Sequence, residues 1–439
     1  MSCNRLIVAN HIDPSLLKQP DQRTFTQRVF WLLEEGDVVI VSSEPDRLFL
    51  KHVCGYLGIS DDSLTFILVG QSENEGRVFE PRALLEPLFL HKLEDYAEHC
   101  TELVSLWPSV QVAELAQCLG IEHVYPGSAF FSQGGAAFAN SKSSFRVLAA
   151  SAEVPIPKGG VCQTQEELPD RIQWLLKGAD GVMVKQSHNG AGAGCAVISK
   201  GSHLVPRTAG SIWTNDLGEL EDSMESLWHW SSVAGRFPVV VEELCLGYRT
   251  VWFEFESRDD GVALRAIGGL EYEAGKMVRE HTPLQWDVHP VGLEKARIDA
   301  HRLASSYHAI GYRGYLSADG LINDDGDYVF TEMNARIGGS LPIYGGVWER
   351  VVHAGQSVDR YVVQHLSPNH WPNLATEELL RRLDSAGLLY DQESRTGAVL
   401  GIPPLREIGN GSFLLIIVAM DAEDQNQLFS RIETALGAS

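Results

Sequence analysis

Three oxygen-bearing side chains stand at fixed intervals in one predicted β-hairpin. Asp319 opens the hairpin, and Glu332 and Asn334 lie two residues apart on its second strand. Because side chains alternate across a strand, Glu332 and Asn334 share a face, and Asp319 can lie beside Glu332 across the ladder. Oxygen ligands of this kind suit Mg²⁺, which takes its other ligands from substrate phosphates. We predict a magnesium site here; a plain surface hairpin with its polar residues outward is the alternative.

Arg336 is next in line after Asn334 on the same face of the chain. Its planar guanidinium can donate two hydrogen bonds to one oxyanion. A γ-phosphate or an acyl phosphate held by the predicted metal would need such a donor, so Arg336 is the candidate for contacting the reacting group.

A second chemistry-bearing segment is a small-residue loop between two apolar strands. The strand Gly181–Lys185 ends in a lysine, and Asn189, Gly190, Gly192 and Gly194 then lead into the strand Cys195–Ile198. Alternate glycines let backbone amides approach an anion closely, and Lys185 would direct a cation at it. The segment is not a P-loop, because no Gly-Lys-Ser/Thr follows. A flexible hairpin loop without a ligand is the other interpretation.

A third segment is the apolar strand that runs from Pro238 into Glu242 and Glu243 and then into Cys245. A strand that leaves its sheet here has free backbone groups, which can pair with the edge of an adenine ring. An acidic strand end that is simply solvated is the competing interpretation.

Composition narrows the classes of partner. The 439 residues carry 35 basic and 58 acidic side chains, a formal net charge of −23. This balance argues against a nucleic-acid partner or an anionic membrane surface, where basic patches supply the affinity. The seven cysteines are scattered without a CxxC pair, and the apolar runs are too short to span a bilayer. We therefore expect a soluble cytoplasmic protein.

The N-terminal part, residues 1–140, is predicted to be a small Rossmann-like α/β domain. Its apolar runs Leu6–Ala9, Asp37–Val41 and Leu64–Val69 are typical of buried strands, and a helical pattern over Thr24–Glu35 lies between the first two. Strands that alternate with helices favour a parallel sheet. No GxGxxG follows the first strand, so the domain lacks a dinucleotide fingerprint.

Two further domains are expected after residue 140. A helix from Lys142 to Ala152, capped by Asn140 or Ser141, opens a domain over 141–370, in subdomains 141–236 and 237–370. The remaining 371–439 are expected to form a small α+β domain. In it, Gly397–Ile402 and Phe413–Met420 are predicted strands, and Asp421 is predicted to cap a last helix that runs to Leu436.

The order and spacing of these segments resemble the ATP-grasp superfamily, which includes D-alanine–D-alanine ligase and biotin carboxylase. The resemblance covers about residues 140–350, and Asp319 precedes Glu332 by 13 positions (332 − 319), a usual separation for the metal pair of this fold. It implies an α+β ATP-grasp domain of two subdomains behind a pre-ATP-grasp domain. The layout, with Gly387–Asp391 and Thr396–Val399, more loosely resembles pheganomycin-type peptide ligases.

The resemblance also implies a role for each matching residue. Lys142 and Lys185 would contact the ATP phosphates, the 189–194 loop would cover them, and the backbone around Glu242, Glu243 and Cys245 would meet adenine. Asp319, Glu332 and Asn334 would hold two Mg²⁺ ions, with Mn²⁺ as a substitute, while Arg336, with Glu332, would serve catalysis by contacting the transferred phosphoryl group. Arg249 stands where many members carry a ribose-binding glutamate near Gly247, so the ribose contact is unassigned.

The function expected from this resemblance is an ATP-dependent ligase that joins a carboxylate to the amine of an amino acid or peptide through an acyl phosphate. Small-molecule or peptide substrates are expected, and a homodimer is one expectation because ligases of this fold are often dimers. Four residues are further candidates for substrate contact, each with an alternative interpretation as a surface or packing residue: Arg313, Glu271, His281 and Tyr344. A kinase, a carboxylase and a catalytically inactive nucleotide-binding regulator remain as alternatives.

Overall fold

The computed structural model describes residues 5–10, 26–69, 81–189, 194–199, 220–273, 276–284, 286–353, 359–368, 370–404 and 412–437. The chain divides into two compact units, each of more than one segment. The first unit comprises Met1–Gly135, Arg279–Gln285 and Arg336–Ser439, and the second comprises Ala136–Val278 and Trp286–Ala335. The bounds of the three domains expected from the sequence stay a prediction.

The first unit begins with the predicted parallel sheet, whose strand order is β3-β2-β1-β4. Its strands are β1 Arg5–Val8, β2 Val38–Val41, β3 Thr65–Leu68 and β4 Glu102–Ser105. All of β2 and most of β1 are buried, as expected for strands of a parallel sheet that is covered on both faces.

The helix predicted over Thr24–Glu35 is wrong in type and length. From residue 26, where the description begins, the segment forms a 3₁₀ helix over Gln27–Leu32, and the N–H of Leu33 donates to Phe30 O three residues back. The four consecutive side chains from Arg28 to Trp31 are all buried, so the segment has no exposed helical face. Tertiary packing therefore overrides the helical pattern.

The first unit also contains the helices α1 Arg47–Leu57, α2 Pro87–Ala97, α3 Val110–Cys118 and α4 Ser128–Ser132, and α5 Gly135–Ala139 begins at the last residue of its first segment. Shorter 3₁₀ turns are formed by Asp61–Ser63, Pro81–Leu85 and Glu122–Val124. Asp46 caps α1, because its side chain accepts hydrogen bonds from the N–H groups of Leu48 and Phe49.

The C-terminal part of the chain adds an antiparallel sheet to the first unit. Its strands are β14 Tyr361–Leu366, β15 Gly397–Ile402 and β16 Leu414–Ala419, with the end of β11 (Lys276–Thr282) paired to β14. Its helices are α10 Thr376–Ser385 and α11 Ala422–Leu436, and Asp421 caps α11 as predicted. The two C-terminal strands predicted from the sequence are thus confirmed.

One hydrophobic core joins the N-terminal and C-terminal segments of the first unit. Ile7 and Trp31 belong to the same buried cluster as Val347 and Ile416, and Trp31 Nε1 donates to Gly401 O at 3.1 Å. Gly346, in the π-helix Pro342–His353, approaches Trp31 so closely that a Cβ there would lie 2.7 Å from the Trp31 Cβ. Described C-terminal segments of the first unit therefore share one hydrophobic core with its N-terminal parallel sheet.

Acid should destabilise this unit through His365. Burial and then the Arg279 charge lower the pKa of His365 to about 3, and its Nε2 lies 2.8 Å from Gln425 Nε2, a contact that needs the neutral ring. Above pH 6.5, the ordinary pKa, both folded and unfolded chains hold a neutral ring. Between pH 6.5 and 3 only the unfolded chain takes up the proton, so the free energy of unfolding falls by about 1.4 kcal/mol per pH unit from this residue.

Urea unfolding at pH values from 7 to 4.5 measures the change in the free energy of unfolding per pH unit. His365→Gln should reduce this slope by about 1.4 kcal/mol per pH unit, the contribution of one proton. The matched control is F429L, because the Phe429 ring stacks 4.4 Å from that of His365 and does not titrate. F429L is expected to lower stability equally at every pH. An unchanged slope in H365Q would show that His365 does not carry the acid sensitivity.

The second unit contains a four-stranded antiparallel sheet of order β5-β8-β6-β7. These strands are β5 Gly159–Cys162, β6 Gly181–Gln186, β7 Cys195–Ser199 and β8 Val239–Glu243. Its helices are α6 Lys142–Ser151, α7 Glu167–Leu176 and α8 Leu220–Ser231. The apolar side chains of α7 pack on one face of this sheet, where Ile172 and Val184 are fully buried.

A second antiparallel arrangement in this unit has the order β13-β12-β9-β10. Its strands are β9 Arg249–Arg258, β10 Gly261–Glu273, β12 Gly314–Ile322 and β13 Tyr328–Asn334, and α9 Pro290–Ala309 packs beside them. Strands β12 and β13 are the predicted hairpin. The observed α/β and α+β classes agree with those expected.

Candidate functional site

The hairpin brings the three predicted metal ligands together. Asp319 and Glu332 are direct cross-strand partners, and a bulge follows between Asp319 and Gly320. Asn334 Nδ2 donates to Asp319 Oδ2 at 2.8 Å, and Ser317 Oγ donates to Asp319 Oδ1 at 2.9 Å. Two donors from the same hairpin therefore fix the Asp319 carboxylate on the face that also carries Glu332 and Asn334.

Lys142 links this hairpin to the glycine-rich loop. Its Nζ lies 2.7 Å from Glu332 Oε2 and donates to Asn189 O at 2.6 Å, while the side chain is 8% exposed. Lys142 is the first residue of α6, where Ser141 caps the helix, and its own N–H donates to Ser187 O. The side chain of Lys142, at the start of α6, therefore contacts both the glycine-rich loop and the hairpin.

Lys185 and Arg146 share one buried carboxylate, that of Glu242. Arg146 Nη1 donates to Glu242 Oε2 at 2.8 Å, and Lys185 forms an ion pair with Oε1. Burial acts to lower the pKa of Lys185, but Glu242, Cys195 and Glu332 together outweigh it, and the net direction is upward. Lys185 therefore stays charged, which a phosphate-binding lysine requires. Arg146 was not singled out from the sequence, although it lies one helical turn after Lys142 on the same face.

The base of the glycine-rich loop is a closed turn. Gln186 N donates to Gly194 O at 2.8 Å, and Asn189 Nδ2 donates to Gln186 Oε1 at 2.9 Å. A Cβ on Gly194 would lie 2.4 Å from the Asn189 Cβ, so only glycine fits there. Gly190 and Gly192, the other two predicted loop residues, lie outside the described residues.

The strand end at Glu243 continues the same sheet. Glu243 N donates to Lys158 O and Leu244 N donates to Gly181 O, at 2.8 and 2.9 Å. Burial, followed by the charges of Glu242 and Glu243, raises the pKa of the Cys245 thiol to about 12. Cys245 is therefore a neutral thiol near pH 7. The adenine contacts expected around Glu242, Glu243 and Cys245 stay a prediction.

Arg249, which stands near the expected ribose-binding position, is engaged by the hairpin turn. It pairs with Asp324, donates to Asp287 O at 3.3 Å and lies over the Trp286 ring at 5.2 Å. A ribose contact from this residue would have to break these interactions, so the role stays unassigned.

The side chain of Asn140 holds the backbone of Ala335, the residue between Asn334 and Arg336. Its Oδ1 accepts from Ala335 N at 3.1 Å, and its Nδ2 donates to Ala335 O at 3.0 Å. The side chain thus imitates a paired strand and fixes the backbone beside a predicted metal ligand. The sequence suggested only a helix cap for Asn140, and the cap is Ser141.

Asn140→Ala should therefore loosen this part of the site. We expect the Mg²⁺ concentration for half-maximal turnover to rise about tenfold, since mutation of a supporting hydrogen-bond partner usually weakens metal sites by 10–100-fold. Mg²⁺ titration at saturating ATP measures this change. Asn140→Asp keeps the acceptor for Ala335 N and should recover part of the loss. Equal Mg²⁺ dependence in wild type and Asn140→Ala would refute the role.

Arg336 lies in the first unit, where its guanidinium carbon is 4.3 Å from the centre of the Trp107 ring. Trp107 is held in turn by Asn10 at the end of β1, whose Nδ2 donates to Trp107 O at 2.7 Å and whose Oδ1 accepts from Trp107 N at 3.1 Å. Arg336 therefore has an aromatic platform, which fixes the plane of its donors.

The four candidate substrate residues lie in different surroundings. In the second unit, Arg313 pairs with Asp259 and donates to His308 O and Tyr312 O, and Glu271 is half-buried on β10. In the first unit, the fully buried His281 stacks on Tyr361, and Tyr344 is buried in the π-helix. Burial lowers the pKa of His281 to about 4. Substrate contact by these four residues stays a prediction.

The donor set on the hairpin fits magnesium better than a softer metal. Asp319, Glu332 and Asn334 offer only oxygen ligands on one face, and Mg²⁺ commonly uses one or two carboxylates and fills its octahedron with water and phosphate oxygens. Among the described residues, no group of three or more His, Cys, Asp or Glu side chains could hold a metal by itself. Water and phosphate oxygens would supply the remaining ligands of a Mg²⁺ ion held on this face.

Comparison with known families gives the class of protein. Residues 26–121 match the family model described as the pre-ATP-grasp domain. Among solved structures, an N5-carboxyaminoimidazole ribonucleotide synthetase and a biotin carboxylase have similar folds, so the chain has the fold that its resemblance to the ATP-grasp superfamily implies. The resemblance to the superfamily seen in the sequence is confirmed at this level. A comparison with curated proteins found no match.

Three similar structures illustrate the fold. An N5-carboxyaminoimidazole ribonucleotide synthetase in complex with ADP is 13% identical, with a TM-score of 0.60 over 99% of this chain and 97% of that one. The enzyme of this kind from Thermus thermophilus is 14% identical, with a TM-score of 0.57 over 98% of each chain. A biotin carboxylase complex from Campylobacter jejuni is also 14% identical, with a TM-score of 0.57 over 99% and 91%.

None of the helices in the described ranges combines the length and apolarity needed to cross a bilayer.

The likeness to pheganomycin-type peptide ligases has no support from the comparisons with known families and structures and stays a prediction.

Proposed function

We propose that this protein is an ATP-dependent ligase that forms an amide bond between a carboxylate and the amine of an amino acid or peptide. The observation that carries the proposal is the convergence of Asp319, Glu332 and Asn334 on one hairpin face, with Lys142 2.7 Å from Glu332. In an ATP-grasp fold, this face is suited to holding a metal–triphosphate beside a buried cation.

The reaction is proposed to run in two steps. A carboxylate oxygen of the donor attacks the γ-phosphorus of ATP, and ADP leaves. The amine of the acceptor then attacks the acyl phosphate, and phosphate leaves as the carbon–nitrogen bond forms and the amine loses a proton. Mg²⁺ at Asp319, Glu332 and Asn334 would offset the repulsion between the carboxylate and the triphosphate. Lys142 and Lys185 would bind the phosphates, and Arg336 would orient the transferred group.

The cysteines near the proposed site argue against a route in which an enzyme thiol forms a covalent intermediate with the substrate. Cys245 has a raised pKa, and burial also raises the pKa of Cys195, so neither is a ready nucleophile at neutral pH. Lys142 contacts the proposed metal ligand Glu332, and Lys185 and Arg146 share the Glu242 carboxylate. Cations of this kind can attract an anionic ligand such as a triphosphate.

ADP release with Mg·ATP tests the proposal when amino acids and short peptides are supplied singly and in pairs. We expect ADP only when one carboxylate and one amine are both present, together with a condensed product mass. ADP from a single substrate without a condensed mass would favour a kinase. ADP that depends on bicarbonate would favour a carboxylase, the reaction class of the biotin carboxylase neighbour. ATP binding with no turnover in any arm would favour a regulatory protein.

A further inference from the structure

The first unit contains a buried arginine that the proposed mechanism does not use. Arg28, on the 3₁₀ helix Gln27–Leu32, is 6% exposed, and its Nη2 donates to Ile337 O at 2.9 Å. Its Nε is buried without a hydrogen-bond partner. A buried N–H that has lost water and gained no acceptor costs free energy, so such a group calls for an explanation.

The surroundings of Arg28 contain charged groups of both signs. Burial and then the charge of Arg336 lower the pKa of Arg28 to about 9, and the Glu280 carboxylate opposes them. Glu280, itself 4% exposed, also accepts a hydrogen bond from Gln364 Nε2 at 3.3 Å. The Arg336 guanidinium therefore repels Arg28, and the Glu280 carboxylate attracts it, in a largely buried place.

Like charges brought together away from water are costly unless an opposite charge lies between them. Arg28 holds the carbonyl of Ile337, which is the residue next to Arg336, so the two arginines are tied to the same piece of backbone. The Arg336 guanidinium in turn lies over the Trp107 ring. The backbone N–H and C=O of Trp107 are both hydrogen-bonded to the side chain of Asn10. The pair is therefore fixed before any ligand arrives.

We propose that Arg28 and Arg336 form a two-arginine site for one oxyanion of the substrate, either a carboxylate or the phosphoryl group that it receives. The oxyanion would supply an acceptor for the unpartnered Nε of Arg28 and reduce the repulsion between the two guanidinium groups. A planar fork of donors matches both oxyanions. The proposal rests on the proposed ligase function for the identity of the substrate, but the binding of an oxyanion does not.

Calorimetric titration of the full-length protein without nucleotide tests the site, with inorganic phosphate and acetate as separate probes. Arg28→Met is expected to weaken binding of the preferred probe at least tenfold, since a hydrogen bond to a charged group is commonly worth about 1.5–3 kcal/mol, or more than tenfold in affinity. Arg28→Lys, which keeps the charge and loses the Nε, should fall between Arg28→Met and wild type. Phosphate preference would identify a phosphoryl subsite, and acetate preference a carboxylate subsite.

Arg350→Met is the matched control, because Arg350 lies in the same unit and donates to Trp31 O and Leu33 O at 3.1 and 2.8 Å. It should lower the stability of the unit and leave anion binding unchanged. The same titrations in a protein that already carries Lys185→Met distinguish the Arg28 site from binding at the proposed triphosphate site. In that protein, Arg28→Met must still weaken anion binding.

Two results would overturn the proposal. One is equal affinity in wild type and Arg28→Met, which would make Arg28 a structural residue. The other is the failure of wild type to bind either probe. A failed ligase assay beside retained, Arg28-dependent anion binding would instead refute the proposed function and leave the site standing.

Discussion

Replacing Glu332 with alanine is expected to lower turnover by about 10³-fold or more while the fold stays intact, because electrostatic stabilisation of a transferring phosphoryl group is among the largest catalytic effects. Glu332 is the cross-strand partner of Asp319 and the carboxylate nearest to Lys142. Its side chain is 26% exposed, so its loss removes little packing. Initial rates of ADP release across a Mg²⁺ titration measure the effect.

Asp325→Ala is the matched control for Glu332→Ala. Asp325 is an exposed acid at the turn of the same hairpin, so its loss changes the charge of the protein equally. We expect turnover in this variant to stay within about twofold of wild type, as for surface substitutions in general. Near-normal turnover in Glu332→Ala would contradict the proposal that Glu332 belongs to a metal site.

Replacing Glu242 with alanine is expected to destabilise the second unit by about 3–5 kcal/mol, since removing one partner leaves buried charge uncompensated. Glu242 is 3% exposed and is the shared partner of Arg146 and Lys185. Both cations are also largely buried and would face each other without a carboxylate between them. Urea unfolding measures the loss, and ATP affinity should fall as well because Lys185 loses the contact that positions it.

The neighbouring Glu243→Ala provides the comparison. Glu243 is only half-buried, and its carboxylate accepts a single hydrogen bond, from Lys158 N at 3.2 Å. Its loss should cost about 1 kcal/mol. If Glu242→Ala were no less stable than Glu243→Ala, the buried ion pairs would not be what holds α6 against the sheet.

Local pattern in the sequence was enough to predict the elements that carry the candidate site residues. The alternation of side chains placed Glu332 and Asn334 on one face, and the tight acidic turn predicted the hairpin that sets Asp319 opposite Glu332. The predicted strands β1, β2 and β3 and the caps at Ser141 and Asp421 were found for the same reason. Each depends on interactions between residues close in the chain.

The same reasoning was wrong or silent where distant residues compete. The 3₁₀ helix at Gln27–Leu32 replaces a predicted longer helix, because its side chains are buried on all sides by the core that also contains Val347 and Ile416. Arg28 carries no sequence signal of its own, since an arginine in a helical pattern is usually exposed.

What the sequence determined by itself is therefore the set of candidate site residues and the short elements that present them. Only the tertiary structure decided which of these charges share a partner: Glu242 lies 96 positions from Arg146, and Asn140 lies 195 from the Ala335 that it pins. The physical reason is that ion pairs and hydrogen bonds form where burial removes water. Burial is set by how whole sheets and helices pack, which no local pattern contains.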